Sequence, residues 1–396
     1  MEKVRMAIIG LGNRGYGNMK AVMSFDDVQI TAVCDVYTDR AERAAAKAEE
    51  KYGVRPFSTT DYREVLTRSD VDCVMIATAW ESHVPIAIDT MRAGKPVAME
   101  VGGAYSAEDC RNLVRTYEET ETPFLFLENC CYDRTELLVT AMARKGLIGE
   151  IVHCSAAYGH DLREEILHGK ENRHYRLRNY IHRNCENYPT HELGPIAKLL
   201  NINRGNRMLS LVSMASKSVG LKEYVNAHKD SVDPDLIGQE FAQGDIVTTI
   251  IKCANGETIQ LRLDTSLPRV YDREFTVHGT KAYIRNTKVY IDGREEKLTD
   301  LNEFADFLPE CWTDMTEEGR KLGHGGMDGI LFREFVDAVK NGTEMPIDVY
   351  DAASYMCISY LSEESIAMGG MPREIPDFTH GEWVKREPKD VFCFEK

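Results

Sequence analysis

Through the first 128 residues, short apolar runs alternate with amphipathic segments. Residues 4–9, 29–35, 72–78, 96–100 and 124–127 are nearly continuous in apolar side chains, as strands covered on both faces are. Residues 39–52, 83–93 and 106–120 carry apolar positions at helical spacing and are long enough for helices. Strands that alternate with helices predict a doubly wound parallel sheet over residues 1–128. The pattern then changes. A helix is expected at 134–145, stopped by Gly146, and strand-like alternation follows at 151–158, 208–216, 246–253, 258–264 and 273–277. This predicts a second, α+β domain over 129–396 built on a large, mostly antiparallel sheet. Helices at 327–340 and 349–368 close the chain and are free to pack back on the first domain, while 161–187 shows little periodicity of either kind.

Composition narrows the class. The 396 residues suit two or three domains, and 43% apolar side chains supply real cores. The 48 Lys and Arg stand against 64 Asp and Glu, a net charge of −16 that repels phosphate backbones and anionic lipid, so nucleic-acid and membrane-surface roles are not expected. The 11 cysteines, from Cys34 to Cys393, form no C-x-x-C pair, and adjacent Cys130 and Cys131 suit neither a disulfide framework nor a zinc site. They read as reduced thiols. The first strand starts too early for a signal peptide, and no apolar stretch approaches the ~20 residues of a membrane span. A cytoplasmic protein without bound metal is expected.

Candidate chemistry begins directly after the first strand. Gly10-Leu11-Gly12-Asn13-Arg14-Gly15 is a G-x-G-x-x-G whose glycines permit a tight turn, close approach of a pyrophosphate and close packing of helix on strand. Asp35 ends the second strand 20 residues after Gly15, where a carboxylate can accept both ribose hydroxyls. The context predicts a Rossmann domain. The Asp35 carboxylate would repel a 2′-phosphate, which favours NAD over NADP, with Arg40 close by as the opposing charge.

The runs Ala77-Thr78-Ala79-Trp80-Glu81-Ser82-His83 and Gly94-Lys95-Pro96-Val97-Ala98-Met99-Glu100 resemble the Gfo/Idh/MocA family of sugar-linked NAD(P) dehydrogenases. Members of that family normally follow the fifth strand with Glu-Lys-Pro, whose lysine assists hydride transfer, whereas this chain has Glu100-Val101-Gly102. Glu-Val is usual in one subgroup, the NAD-dependent glycosidases of glycoside hydrolase family 109. Glu128-Asn129-Cys130-Cys131-Tyr132, Tyr158-Gly159-His160-Asp161-Leu162-Arg163, Tyr188-Pro189-Thr190-His191-Glu192-Leu193-Gly194-Pro195 and Gly323-His324-Gly325-Gly326-Met327-Asp328 all resemble its motifs, in order. Leu322 departs from it, standing where the family's mobile loop often has another glycine. The resemblance implies NAD contacts at Asn13, Arg14, Asp35, Thr78, Trp80, Glu81, Ser82, His83, Glu100, Val101, Asn129 and Tyr188, beside Gly10, Gly12 and Gly15 of the motif. It implies substrate contacts at Tyr158, Arg176, Tyr188, Pro189, Thr190, His191 and Tyr271, and a homo-oligomer that acts on a sugar or glycoside. Terminal N-acetylgalactosaminides in α linkage are the substrate class it suggests.

Most glycosidases use two carboxylates, and the NAD-dependent ones are the exception. In the cycle that the resemblance implies, C3 of the sugar is oxidised, the acidified C2 proton is removed, the C1 substituent leaves, water adds, and C3 is reduced again, so that tightly held NAD is regenerated each turnover. Such a cycle needs acids, bases and groups that polarise a ketone. Six of the 11 histidines, His153, His160, His168, His174, His182 and His191, fall within 39 positions and suggest a polar pocket. Pro189 and the candidate N-cap Thr190 place His191 in the first turn of a helix through Leu200, where the helix N-terminus favours neutral imidazole. His324, between glycines, suits a group that swings in on a flexible loop. The catalytic candidates are therefore Tyr158, Tyr188, His191 and His324, with acid and base roles left open among them. A sugar or polyol dehydrogenase of the parent family is the alternative, and a non-catalytic NAD sensor a third.

Overall fold

The computed structural model describes residues 3–392 and 394; Cys393 lies outside the described residues. Two compact units divide the chain. The first comprises the chain through Tyr132 together with Glu310–Ala353, and the second Asp133–Pro309 with the chain from Ser354 onward.

In the first unit, six parallel strands form one sheet. They are β1 (Val4–Ile9), β2 (Val28–Cys34), β3 (Phe57–Thr59), β4 (Cys73–Ile76), β5 (Val97–Met99) and β6 (Phe124–Phe126), in the order β3-β2-β1-β4-β5-β6. β1 lies inside the sheet, and Met6, Ala7 and Ile8 are fully buried, which explains the unbroken apolar run. Helices Asn13–Val22, Thr38–Tyr52, Trp80–Arg92 and Ala107–Thr120 connect the strands. Ser106 caps the last of these, its side chain accepting from Asp109 N at 3.1 Å, and Gly53, at φ 70°, stops the second. The three-residue β3 and the helix Tyr62–Leu66 are too short for a periodic signal and went unpredicted.

The sequence pattern sets one boundary near residue 128; the structure returns Glu310–Ala353 to the first unit. Phe126 N, in β6, donates to Ile347 O at 2.9 Å, and Arg333 and Lys340 of helix Met327–Asn341 both bind the carboxylate of Asp27. Gly342, at φ 63°, closes that helix, so Asn341-Gly342-Thr343 is a helix-ending turn. Trp312 packs inward and donates Nε1 to Tyr132 O at 2.9 Å.

In the second unit, nine strands form a mixed sheet: β7 (Ile151–Gly159), β8 (Met208–Ala215), β9 (Ile246–Cys253), β10 (Thr258–Asp264), β11 (Thr276–Gly279), β12 (Ala282–Arg285), β13 (Lys288–Ile291), β14 (Thr299–Asp300) and β15 (Arg373–Glu374). The order is β14-β13-β12-β11-β7-β10-β9-β8-β15; β7 and β10 are parallel and the other neighbours antiparallel. Buried and half-buried residues alternate along β10, the signature of a sheet with one face on a core. The strand expected at 273–277 begins later, at Thr276, because Glu274 adopts φ 49° and Arg273 turns its guanidinium to Glu136 and Asp133. Residues 161–187 contain two short helices, Arg163–Leu167 and Arg176–His182.

The ten described cysteines are free thiols, nine of them buried. No helix among the described residues is long and apolar enough to cross a membrane.

Two glycines of helix Asn13–Val22 separate packing from propensity. A Cβ on Gly15 would collide with the carbonyl of Gly10, whereas one on Gly17 meets nothing within 4 Å. Gly15→Ala is expected to cost about 2 kcal/mol or more through overpacking, and Gly17→Ala to stabilise by roughly 0.5–1 kcal/mol through helix propensity. Thermal or denaturant unfolding of the two variants checks both signs.

Candidate active site

The glycine motif forms an open cradle at a helix N-terminus. A Cβ on Gly10 would stand 2.5 Å from Ala77 O, so the turn packs against the chain beyond β4. On Gly12 the nearest atom to such a Cβ is Arg40 Nη1 at 3.5 Å, and no side chain caps the ten-residue helix that follows. Its first-turn amides therefore face an uncrowded space suited to a pyrophosphate. Asp35, 5% exposed, accepts Leu11 N at 2.7 Å and Tyr37 N at 2.9 Å, which holds the carboxylate at the end of β2 with further lone pairs for ribose hydroxyls. Arg40 stacks over the Tyr37 ring at 5.0 Å. These residues fit a dinucleotide with an unphosphorylated 2′-hydroxyl.

The remaining cofactor candidates of the first unit surround this cradle. Trp80 to His83 open a helix that likewise lacks a capping side chain. Thr78 and Ser82 join hydroxyls at 3.2 Å, Glu81 is exposed, and buried His83 sets its two ring nitrogens 3.0 Å from Thr78 O and Gly102 O. Burial holds His83 below the ordinary histidine range, against the pull of the two carbonyl contacts. Glu100 accepts Arg14 Nε at 2.6 Å and Asn18 Nδ2 at 2.8 Å, and Val101 is buried. Gly102 adopts φ 84°, and a Cβ there would stand 2.5 Å from Trp80 Nε1. A proline cannot take that backbone, so this segment could not hold the Glu-Lys-Pro of a sugar dehydrogenase in its present shape.

Arg14 also reaches the late loop. Its Nη1 and Nη2 bind Asp328 at 2.5 and 3.1 Å, Asn129 donates to the same carboxylate at 2.8 Å, and His324 Nδ1 lies 2.8 Å from it. His324 thus belongs to the Rossmann unit, not to the sheet domain that the sequence pattern extends from residue 129.

In the second unit, Tyr158 near the end of β7 meets Tyr188 and His191. Their ring centroids are 4.6 Å apart for Tyr158 and Tyr188, 5.6 Å for Tyr158 and His191, and 4.8 Å for Tyr188 and His191. Tyr188 Oη lies 3.3 Å from His191 Nε2, and Tyr158 Oη 3.2 Å from His160 Nδ1. Half-exposed Tyr271 meets the His160 ring edge-on at 5.1 Å, and the Arg176 guanidinium stands 5.0 Å over the Tyr188 ring. Sequence reasoning assigned no role to Glu165, whose carboxylate lies 2.7 Å from Arg176 Nε, nor a separate one to His160.

Local folding explains the cluster. Pro189, with φ −70° and ψ −16°, already has helical geometry and starts helix Thr190–Leu199, which packs on β7. Thr190 is therefore the first helical residue and not an N-cap: its hydroxyl is buried without a hydrogen-bond partner among the described residues. The six clustered histidines do not make one pocket. His160 and His191 join the tyrosines, but His153 bonds Thr258 on the sheet, His168 bonds Glu164 O and Ser231 O, His174 stacks on Tyr175, and His182 ends a short helix.

Electrostatics divides the cluster's roles. Burial pushes the Tyr158 phenol far up despite the nearby Arg176 charge, so it is a neutral donor. Burial, then the Arg176 charge, holds His160 below the usual range. Burial opposes charge on Arg176 too, but the tyrosine oxygens around it and Glu165 more than compensate. Beneath the cluster, burial raises both Glu186 and Glu192 so that the pair retains a proton; at 0% and 1% exposure they cannot flank a glycosidic bond.

Comparison with known proteins shows the family and the fold. Residues 4–126 match the oxidoreductase family with an NAD-binding Rossmann fold, and residues 132–385 match the glycosyl hydrolase 109 C-terminal domain. The chain is 38% identical to a glycosyl hydrolase family 109 protein of Stenotrophomonas maltophilia, over all of this chain and 92% of that one. It is also 38% identical to the alpha-N-acetylgalactosaminidase of Tannerella forsythia, over 97% of this chain and 88% of the relative. The fold is shared with levoglucosan dehydrogenase solved with NADH and levoglucosan, at a TM-score of 0.71 and 18% identity over 95% of this chain and all of that one. Fold and cradle define an NAD-binding enzyme of the Gfo/Idh/MocA type. The chain belongs to glycosyl hydrolase family 109, the NAD-dependent glycosidases.

Replacing Arg176 with Met is expected to raise the His160 pKa towards the ordinary value of about 6.5, stopping short of it because the ring stays half-buried. A proton NMR titration of the His160 ring in wild type and variant measures the shift.

Proposed function

We propose that this glycosidase cleaves terminal N-acetylgalactosaminides in α linkage through transient oxidation at C3, with NAD held through successive turnovers. The observation that carries the reading is the gathering of two phenols and two imidazoles, Tyr158, Tyr188, His160 and His191, beside the buried Arg176. Two-carboxylate hydrolysis would need a pair of acids flanking the bond; Glu186 and Glu192, beside Tyr188 and His191 in sequence, are sealed in the core, and the acids that follow His160 include Asp161 and Glu165, held by Arg163 and Arg176. The substrate class is supported by the named activity of the Tannerella forsythia relative.

When bound, NAD supplies reversible hydride acceptance, so C3 is oxidised at the start of a turnover and reduced at its end. Asn13, Arg14, Asp35 and the Trp80 to His83 turn hold it. Within the second unit, Tyr188 Oη and His191 Nε2, 3.3 Å apart, form a couple able to take the C3-hydroxyl or C2 proton and give it back. Tyr158, kept protonated by burial, donates a hydrogen bond to developing negative charge on the C3 oxygen. Arg176, braced by Glu165, and Tyr271, braced by His160, orient the sugar. His324 serves as the acid or base for leaving group and water. Loss of the C2 proton and the C1–O bond forms a C1=C2 double bond; water returns hydroxyl to C1 and a proton to C2, so the net reaction is hydrolysis. The ten described free thiols suit a reducing, cytoplasmic compartment, and the proposal includes a homo-oligomer.

The test uses the protein with its copurified cofactor and no added NAD, acting on aryl α-N-acetylgalactosaminide in D2O. Many turnovers per bound cofactor, with deuterium at C2 of the product, are expected. In His191→Asn, kcat is expected to fall at least about 10²-fold with cofactor retained. Stoichiometric reduction of added NAD by free sugar, without glycoside cleavage, would replace the glycosidase by a dehydrogenase.

A further inference from the structure

His324 stands in an unusual backbone. Gly323, His324, Gly325 and Gly326 take φ of 99°, 44°, 70° and 111°, four consecutive residues in the left-handed half of the map, of which His324 alone has a side chain to strain. The loop wraps a carboxylate: a Cβ on Gly323 would run into Asp328 Oδ2. The His324 side chain is 52% exposed and that of Asp328 3%.

The His324 ring has two neighbours with opposite demands. Nδ1 lies 2.8 Å from Asp328 Oδ2, which accepts, and 3.2 Å from Arg14 Nη1, which donates. The shorter contact decides, because Arg14 directs Nη1 and Nη2 at Asp328. Burial pushes the Asp328 carboxyl up, but the His324 hydrogen bond and the Arg14 charge outweigh it and hold it well below the usual carboxylate range. Ionised Asp328 has no proton to give, so Nδ1 must carry one. Asn129 Nδ2 on Oδ1 and Glu100 on the far side of Arg14 belong to the same charged and polar surroundings.

We propose that Asp328 is the positioning residue for His324: it accepts Nδ1–H, fixes the tautomer that leaves the Nε2 lone pair free, and holds the loop in its left-handed course. Arg14, itself a residue of the dinucleotide motif, locks the carboxylate in place. The ring is thereby oriented and its reactive nitrogen chosen before substrate arrives. The catalytic meaning of this pairing rests on the role given to His324 in the proposed glycosidase cycle.

The test is a long-range proton–nitrogen NMR spectrum of full-length protein carrying ¹⁵N-histidine and its copurified cofactor, recorded above the histidine titration range. The His324 signals are assigned by their loss in His324→Gln. The expected wild-type pattern is protonated Nδ1 and bare Nε2, replaced in Asp328→Asn by the other tautomer or a mixture, with kcat down about 10²-fold and KM little changed. Protonated Nε2 in the wild type overturns the proposal even if Asp328→Asn does not fold, and so does an undiminished kcat in a folded Asp328→Asn enzyme. A wild type with protonated Nδ1 that cleaves no glycoside overturns the glycosidase cycle and leaves the Asp328–His324 pairing standing.

Discussion

Arg14 carries its charge to a place where two carboxylates are almost fully enclosed, Glu100 at the end of β5 and Asp328 at the head of a helix 314 residues away in sequence. Bringing such charges out of water costs more than a single pairing returns, and deleting the guanidinium would leave both acids uncompensated. The ion pairs are therefore a weak source of stability and a strong source of specificity. They tie the nucleotide turn, the fifth strand and the histidine loop to one another, and the return of Glu310–Ala353 to the first unit brings the second acid to them.

The second unit solves a different problem. Its tyrosines and histidines pack as apolar rings, yet their polar atoms pair in short chains, Tyr158 with His160 and Tyr188 with His191. Burial favours neutral forms, and the one full positive charge among them, Arg176, is balanced by Glu165 at its edge. Such a cluster offers proton donors and acceptors without standing charge, which suits chemistry at a ketone more than stabilisation of an oxocarbenium ion.

Much of this was legible in the chain. The buried parallel strands announce themselves as continuous apolar runs, and the glycine motif between strand and helix locates the cradle and Asp35. The short strands β12 to β15 were invisible, because two to four residues cannot show a period. Glu274, with its positive φ, displaced the start of β11, and no local pattern marks that. His191 was placed in a first helical turn, although Pro189 and not Thr190 is the N-cap of that helix. Histidine density misled, since four of six clustered histidines serve local hydrogen bonds, stacking or helix ends. Asp328 stands four residues after His324, but the left-handed course of the intervening loop, not helical spacing, brings the two together, and no local pattern marks that; its partnership with Arg14 is long-range and leaves no trace in sequence.

Gly102 has a bearing on how the two chemistries of this fold are separated in evolution. Its left-handed backbone lies against the Trp80 indole, where a dehydrogenase would have the proline of Glu-Lys-Pro. A lineage moving between net oxidation and net hydrolysis therefore meets a ridge in sequence space: the lysine is one substitution, but its proline needs a different path of the main chain and a retreat of the tryptophan in the same step. Intermediates that change one without the others sit between two backbones, so ancestral or engineered interconversion should proceed through exchange of the whole turn.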